Sequence, residues 1–245
     1  MKYLNLDDIE RKDDYLIIKN KGIDIVFSTA EEGKNFNRNT EDGRETLKSL
    51  IEEFAVEEVQ YLKQIHSSDV FIYKSGDKSF IENEGDAIIT KEKGVIIGAF
   101  TADCVPVIIV DEKTNTIAAI HSGWKGTYNS ITKKTLEKMR DEFNVKLEDV
   151  KVYIGAHIRQ CCYEVSEELK EKFIEKTKIK DEDLFKGRNL SMEKCIEQDI
   201  LSCGVSEENI YSLNLCTHCE KRIKLHSYRG TNGSYGRLFS FVYIK

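Results

Sequence analysis

Proline occurs once in the 245 residues, and no stretch is rich in glycine and serine. Low-complexity tracts and internal repeats are missing as well. Nothing therefore marks a linker, and residues 1–245 are expected to form a single domain. No apolar run approaches the ~20 residues that a membrane-spanning helix needs. The longest, Val105 to Val110, has the length of a strand. The segment Met1 to Arg11 is charged and lacks the apolar core of a secretory signal, so a soluble cytoplasmic protein with no membrane partner is expected. A basic block is missing too. The 37 Lys plus Arg are outnumbered by 43 Asp plus Glu and interspersed with them, for a net charge of -6, which argues against a nucleic-acid partner. Seven cysteines, an odd number in no framework spacing, predict reduced thiols rather than a disulfide scaffold.

Hydrophobic residues make up 40% of the chain, enough for a substantial core. Their spacing predicts a mixed α/β pattern. Strands are expected over Gly22 to Ser28, Val59 to Ile65, Val70 to Tyr73, Ala87 to Thr90, Val95 to Phe100, Val105 to Val110, Thr116 to Ile120, Lys151 to Ile154 and Leu238 to Ile244. Helical stripes are expected at Leu47, Leu50, Ile51 and Phe54, from Ile131 through Met139, at Val165, Leu169 and Phe173, and at Met192, Ile196 and Ile200. Strands in succession, followed by helices mixed with strands, point to an α/β sandwich rather than strict βαβ alternation.

One segment carries chemistry. Residues 101–126 read TADCVPVIIVDEKTNTIAAIHSGWKG, two apolar strands around the polar turn Asp111 to Asn115, which predicts a β-hairpin. Cys104 opens the first strand and His121 closes the second, so folding about the turn brings them to one open end, about one diagonal step apart. His66 stands where another predicted strand meets a Ser67-Ser68-Asp69 turn. Two histidines and a cysteine form a recognised catalytic zinc shell with a fourth position left for water or substrate. Spacing pairs Cys104 with His121 but does not bring in His66. A buried small cysteine and satisfied histidines remain the plainer account of the same residues. The turn Ser122-Gly123-Trp124-Lys125-Gly126-Thr127 before a helix could bind an anion through backbone N–H groups, with Lys125 adding charge. An ordinary helix start with Thr127 as N-cap is the simpler reading.

The motifs LKQIH, GDAIIT, TADCVPVIIVD, AAIHSGWKGT, CCYEV and NLCTHC, followed by SYRG and GR, together resemble the YfiH/YlmD family, also called the laccase-domain, polyphenol oxidase or peptidoglycan editing factor family. The resemblance runs in order from about Val26 to the C-terminus. It implies a compact α-β-β-α sandwich in which His66, Cys104 and His121 hold zinc. It also implies phosphorolysis of adenosine, inosine, guanosine and methylthioadenosine, with adenosine deamination in addition. Purine nucleosides and phosphate are then the small-molecule partners. The family's Asn-Arg-x-x-Leu element corresponds to Gly43-Arg44-Glu45-Thr46-Leu47, which makes Arg44 a candidate phosphate or substrate contact without the preceding asparagine. Three further elements depart from the pattern. The Phe27 to Gly33 turn lacks its arginine, Gly155-Ala156-His157-Ile158 lacks its proline, and Arg229 is followed by Gly230.

Phosphorolysis needs a cationic clamp for phosphate and help for the departing purine. Deamination needs an activated water at C6 of adenine. In both, Cys104 is expected as a bound thiolate. Three alternatives stand beside this reading. A copper-dependent phenol oxidase fits one family name but needs more histidine ligands than the five in this chain readily supply. A cysteine hydrolase or amidase would use Cys104 as nucleophile and His121 as base in editing peptidoglycan precursors. A binding module would use the same residues without turnover. The Cys216-Thr217-His218-Cys219 spacing suggests a zinc knuckle or redox pair, yet a structural zinc wants a second pair, which Cys195 and Cys203 do not supply. These thiols, with Cys161 and Cys162, are expected to pack or line a pocket. Glu164 and Arg229 are candidates for a pocket lining or a structural ion pair. Asp103 is expected to orient the metal shell from outside.

Overall fold

The computed structural model describes residues 1–231, 233 and 236–245. Its centre is a pair of sheets packed face to face. One is seven-stranded and runs Lys2–Tyr3, Ile210–Ser212, Lys151–Ile154, Val105–Asp111, Thr116–Ser122, Ala87–Thr90 and Val70–Tyr73 from edge to edge. The other is six-stranded and runs Glu10–Lys12, Tyr15–Asn20, Ile23–Ser28, Leu238–Ile244, Val95–Thr101 and Glu58–Gln60. The helices are α1 (Glu41–Glu53), α2 (Trp124–Tyr128), α3 (Ile131–Phe143), α4 (Glu167–Lys176), α5 (Asp181–Leu184) and α6 (Met192–Ser202). No helix among the described residues is long and apolar enough to cross a membrane.

Alternation along the strands builds the layers. In Val105–Asp111, Val105, Val107 and Ile109 face helices, where they join Ile131, Leu136 and Met139 of α3 and Ile196 of α6. Ile108 and Val110 point the other way and meet Ile25, Ile97 and Val242 of the second sheet. Both faces are buried, so the strand reads as an unbroken apolar run instead of an alternating one. The far side of the second sheet is covered by α1, with Leu47 and Leu50 against Tyr15, Val26, Ile96, Phe239 and Phe241. The result is the expected α-β-β-α sandwich. Each such aliphatic side chain contributes about 1.5–3 kcal/mol by burial.

The helix α1 starts where Thr40 Oγ accepts from the Gly43 N–H at 3.2 Å, with Glu41 and Asp42 favourably placed in its first turn. Gly43 itself is required by contact, because a Cβ there would lie 2.0 Å from the Asn37 carbonyl oxygen. The Asn37-Arg38 segment therefore crosses directly over the helix start.

Several strand limits differ from the pattern. The expected strand Val59 to Ile65 ends at Gln60. Beyond it the Gln64 side chain takes over the role of a paired backbone, donating to the Phe100 carbonyl at 2.8 Å and accepting from the Phe100 N–H at 2.7 Å. This frees the chain to carry His66 across to the other sheet. Ile51, placed on the apolar stripe of α1, is exposed. The strands Tyr15–Asn20 and Ile210–Ser212 were not legible as strands because their apolar runs are short and flanked by charge.

One close contact in the layer under α1 is testable. A Cβ on Gly98 would lie 2.3 Å from the Phe239 ring. Gly98→Ala should destabilise the fold by about 1–3 kcal/mol through overpacking, seen as a lower urea midpoint at unchanged slope. Adding Phe239→Leu should recover part of the loss, because neighbouring substitutions couple. Equal midpoints for wild type and Gly98→Ala would contradict this packing.

Candidate active site and metal centre

The hairpin register pairs Ser122 with Val105 and His121 with Pro106. Cys104 is the residue just before the first strand, so it stands one diagonal step from His121, at the open end of the hairpin. His66 reaches the same place from the loop after Gln64, with a left-handed backbone at φ 60°. The ligand atoms of His66, Cys104 and His121 all lie within 4.8 Å of one another. Cys104 Sγ is 3.8 Å from His66 Nε2, and the two imidazole rings are nearly perpendicular, with centroids 4.8 Å apart.

A buried carboxylate joins the two histidine segments. Asp86, at the entrance to the strand Ala87–Thr90, accepts from the backbone N–H of His66 at 3.1 Å, of Ser67 at 2.6 Å and of Ile65 at 3.3 Å. It also accepts from Ser67 Oγ at 2.8 Å and lies 2.7 Å from His121 Nδ1. That contact assigns the His121 proton to Nδ1 and leaves Nε2 for the cluster. Asp86 lies within the GDAIIT motif, but one aspartate before an apolar strand carries no sign of this role. Gly123 was equally silent. A Cβ there would lie 2.7 Å from His66 Cδ2 and 3.1 Å from Cys104 Sγ, so only glycine lets the three ligands close up.

The electrostatics favour a charged pair. Burial opposes ionisation of Cys104, yet His121 and His66 outweigh it and bring the thiol down to about 6. Burial likewise opposes protonation of His121, yet the Cys104 charge and Asp86 raise it to about 9. Thiolate and imidazole donors suit a borderline-soft divalent ion, and three ligands facing a cavity leave a position open. The residues present fit such an ion.

The cavity has a volume of about 620 Å³. Cys104 and His121 form part of its lining together with Phe36, Phe100, Trp124, Tyr163 and Tyr228. Arg38, from the segment before α1, and Arg229 and Arg237, from the segment before the last strand, supply positive charge. Arg38 Nη1 donates to the Leu62 carbonyl at 3.1 Å, and Arg229 Nη1 to the Glu164 carbonyl at 3.0 Å. Arg229 also lies over the Tyr163 ring, 5.2 Å from its centroid.

Of the four residues singled out from the sequence, three come together here and Arg44 does not. Arg44 is exposed on α1, bonded to the Arg38 carbonyl at 3.3 Å, and is not among the residues lining the cavity. Its neighbour Arg38 takes that place, brought in by the close crossing at Gly43. Lys125 is exposed on α2 and does not line the cavity either. Thr127 is not an N-cap: Gly123 holds that position, and Thr127 lies inside α2 with its hydroxyl 2.8 Å from Ser122 Oγ. Asp103 turns away from the ligand cluster. Its carboxylate accepts from Thr217 Oγ1 at 2.6 Å, Ser227 Oγ at 2.7 Å and the Arg229 N–H at 2.8 Å, which fixes the opposite cavity wall. Glu164 lines the cavity and also pairs with Arg188, so both of its expected roles apply.

The Asp86 knot sets a pH-dependent test. Burial opposes its ionisation, but the bonds from His121 and Ser67 outweigh it and hold the carboxyl below the usual aspartate range. A depressed carboxyl contributes stability that is present above the unfolded pKa and lost as pH falls through the folded one. Asp86→Asn should therefore cost about 3–5 kcal/mol at neutral pH, and the gap to wild type should narrow on acidification below about pH 4. Zinc affinity of the folded variant should fall about 10–100-fold, as for other outer partners of ligating histidines. Urea titrations across pH, with zinc competition at pH 7, measure both effects. A pH-independent gap would remove the carboxylate from this role.

Residues 19–245 match the model of the multi-copper polyphenol oxidoreductase laccase family. A purine nucleoside phosphorylase of Clostridium acetobutylicum is 46% identical over 94% of this chain and 96% of its own length. The adenosine deaminase RL5 of an unknown prokaryote is 30% identical over 65% of this chain and 62% of its own. The solved structure of Bacillus licheniformis YfiH superposes with a TM-score of 0.86 at 21% identity, covering 95% of this chain and 97% of that one, which supports the fold alone. With the family model spanning nearly its whole length, the chain belongs to the multi-copper polyphenol oxidoreductase laccase family and carries the fold of its YfiH-like members.

Proposed function

We propose that this chain is a zinc-dependent purine nucleoside phosphorylase acting on adenosine, inosine, guanosine and methylthioadenosine, with adenosine deamination as a second activity of the same site. One observation carries the reading: the His66, Cys104 and His121 cluster lies beside three arginines and five aromatic side chains in one cavity. The 46% identity to a protein named purine nucleoside phosphorylase supports the reaction class. The match to a protein named adenosine deaminase supports the second activity.

In phosphorolysis a phosphate oxygen bonds to ribose C1′ as the bond to the purine nitrogen breaks. The bonding pair leaves with the base, which takes up the proton that phosphate gives up, and the products are ribose-1-phosphate and free purine. The arginine side chains of Arg38, Arg229 and Arg237 present the donor forks that suit phosphate. Arg38 and Arg229 are held by carbonyl oxygens, so their guanidinium groups are oriented before phosphate arrives. The aromatic walls offer stacking faces for a purine and exclude water from the sugar. His66, Cys104 and His121 would hold the zinc, which supplies a Lewis-acid centre beside the substrate. Asp86 keeps the His121 ring fixed throughout.

The copper reading fares poorly on the histidine count. His157 lies 2.9 Å from the Gly155 carbonyl and His226 Nε2 2.9 Å from that of Lys34, so both are engaged away from the cluster. Only two of the five histidines contribute to it. The cysteine-hydrolase reading retains one specific support, the Cys104 thiol lowered to about 6 beside His66 and His121.

Incubation with inosine or adenosine and phosphate, with chromatographic separation, tests the proposal. Wild type should release free base and ribose-1-phosphate. Cys104→Ala should lose turnover by at least about 100-fold, and Arg38→Ala should mainly raise the KM for phosphate, the sign of lost binding. Failure of metal-replete wild type to turn over any purine nucleoside would sink the proposal. Amide cleavage by metal-stripped protein would replace it with the cysteine hydrolase.

A further inference from the structure

The knuckle spacing at Cys216 and Cys219 lacks a second cysteine pair in sequence, but the fold supplies one. The turn containing Cys161 and Cys162 meets the turn containing Cys216 and Cys219, and the four sulfur atoms all lie within 4.8 Å of one another. Cys161 Sγ and Cys219 Sγ are 3.6 Å apart, and no disulfide joins any of the four. We propose that Cys161, Cys162, Cys216 and Cys219 form a second metal site, a closed tetrathiolate centre that takes one zinc ion and clamps the cavity wall.

The spacing selects the class of ion. A tetrahedron with metal–sulfur bonds of about 2.3 Å places its sulfurs about 3.8 Å apart. The observed separations, 3.6 Å for Cys161 and Cys219 and none beyond 4.8 Å, bracket that value. Sulfurs this close leave no room for the bridged irons of an iron–sulfur cluster between them. Four thiolates also reject calcium and magnesium, which take oxygen donors. No carboxylate or imidazole belongs to the group, so all four positions are filled by sulfur and none is left for substrate. That is the form of a structural site.

The backbone holds both turns in place without the ion. His157 bridges to Cys216, with the His157 N–H donating to the Leu215 carbonyl at 3.2 Å and the Thr217 N–H to the His157 carbonyl at 3.0 Å. The N–H groups of Cys162 and Tyr163 both donate to the Arg159 carbonyl, at 2.8 and 2.9 Å. Asn189 Nδ2 donates to the Cys161 carbonyl at 3.3 Å. Cys216 is buried, whereas Cys161 and Cys219 are exposed, so an ion enters from the solvent side.

The clamp bears on the active site through its neighbours. Tyr163 and Glu164 follow Cys162 directly into the cavity lining. Thr217, inside the knuckle, donates to Asp103, the residue beside Cys104. A bound ion would add a cross-link to the wall that carries Tyr163 and Arg229, apart from the His66, Cys104 and His121 cluster.

Elemental analysis of the zinc-saturated, gel-filtered full chain tests the proposal. Wild type should hold two zinc ions per chain. Cys219→Ser, at the exposed rim, and Cys104→Ala should each hold one, and the combined variant none. Cobalt titration of metal-stripped, reduced wild type supplies a second readout that needs no variant. It should saturate at two equivalents, with the sulfur-to-cobalt absorption of a four-thiolate centre. One zinc per wild-type chain, lost in Cys104→Ala, would overturn the proposal, as would an undiminished two ions in Cys219→Ser. A non-reducing intact mass lower by the two hydrogens of a Cys161–Cys219 disulfide, in protein purified with zinc, would also overturn it.

Discussion

The buried carboxylate of Asp86 is the interaction on which the site depends. Three backbone N–H groups, the Ser67 hydroxyl and the His121 ring converge on its two oxygens. An ionised carboxylate can be buried only with such a full set of partners. The same bonds force the left-handed turn at His66 and fix the tautomer of His121. Local backbone strain, histidine orientation and metal competence are thus consequences of one desolvated charge. This charge also favours the ion pair between His121 and Cys104.

The two-sheet core explains why the knot lies where it does. Strands buried on both faces leave no room for a polar site within the layers. Polar groups gather instead at the strand ends, where the hairpin opens and Ala87–Thr90 begins. Gly123 permits the approach of all three ligands there, and Gly43 lets Arg38 cross the start of α1 toward the same cavity.

How much of this was legible follows from the kind of information each part needs. The hairpin, and with it the adjacency of Cys104 and His121, is local and follows from strand alternation around one polar turn. His66 is non-local: the loop after Gln64 carries it between sheets, and only the family resemblance singled it out. Asp86 and Gly123 leave no periodic trace, because their roles appear only once three distant segments meet. The resemblance pointed to Arg44 on a register in which its own motif was incomplete, and Arg38 entered the cavity through a glycine contact that no spacing rule contains. The second cysteine pair was hidden in the same way, since Cys162 and Cys216 are more than fifty residues apart in the chain.

Floor and rim of the cavity are built on different physical terms, and this has a consequence for specificity. The floor rests on rigid strand ends tied by buried charge-assisted hydrogen bonds. The rim arginines come from two connections, Arg38 before α1 and Arg229 with Arg237 before the last strand, with Arg229 exposed and Arg38 half-buried. Substitutions in loops change the lining without disturbing the ligand cluster, whereas substitutions at Asp86 or Gly123 disturb the cluster directly. The departures of this chain from the family pattern, at the Phe27 to Gly33 turn and at Gly230, fall outside that floor. A change in what the cavity accepts is therefore to be sought around Arg38, Tyr163 and Arg229 in its lining rather than at the ligand cluster.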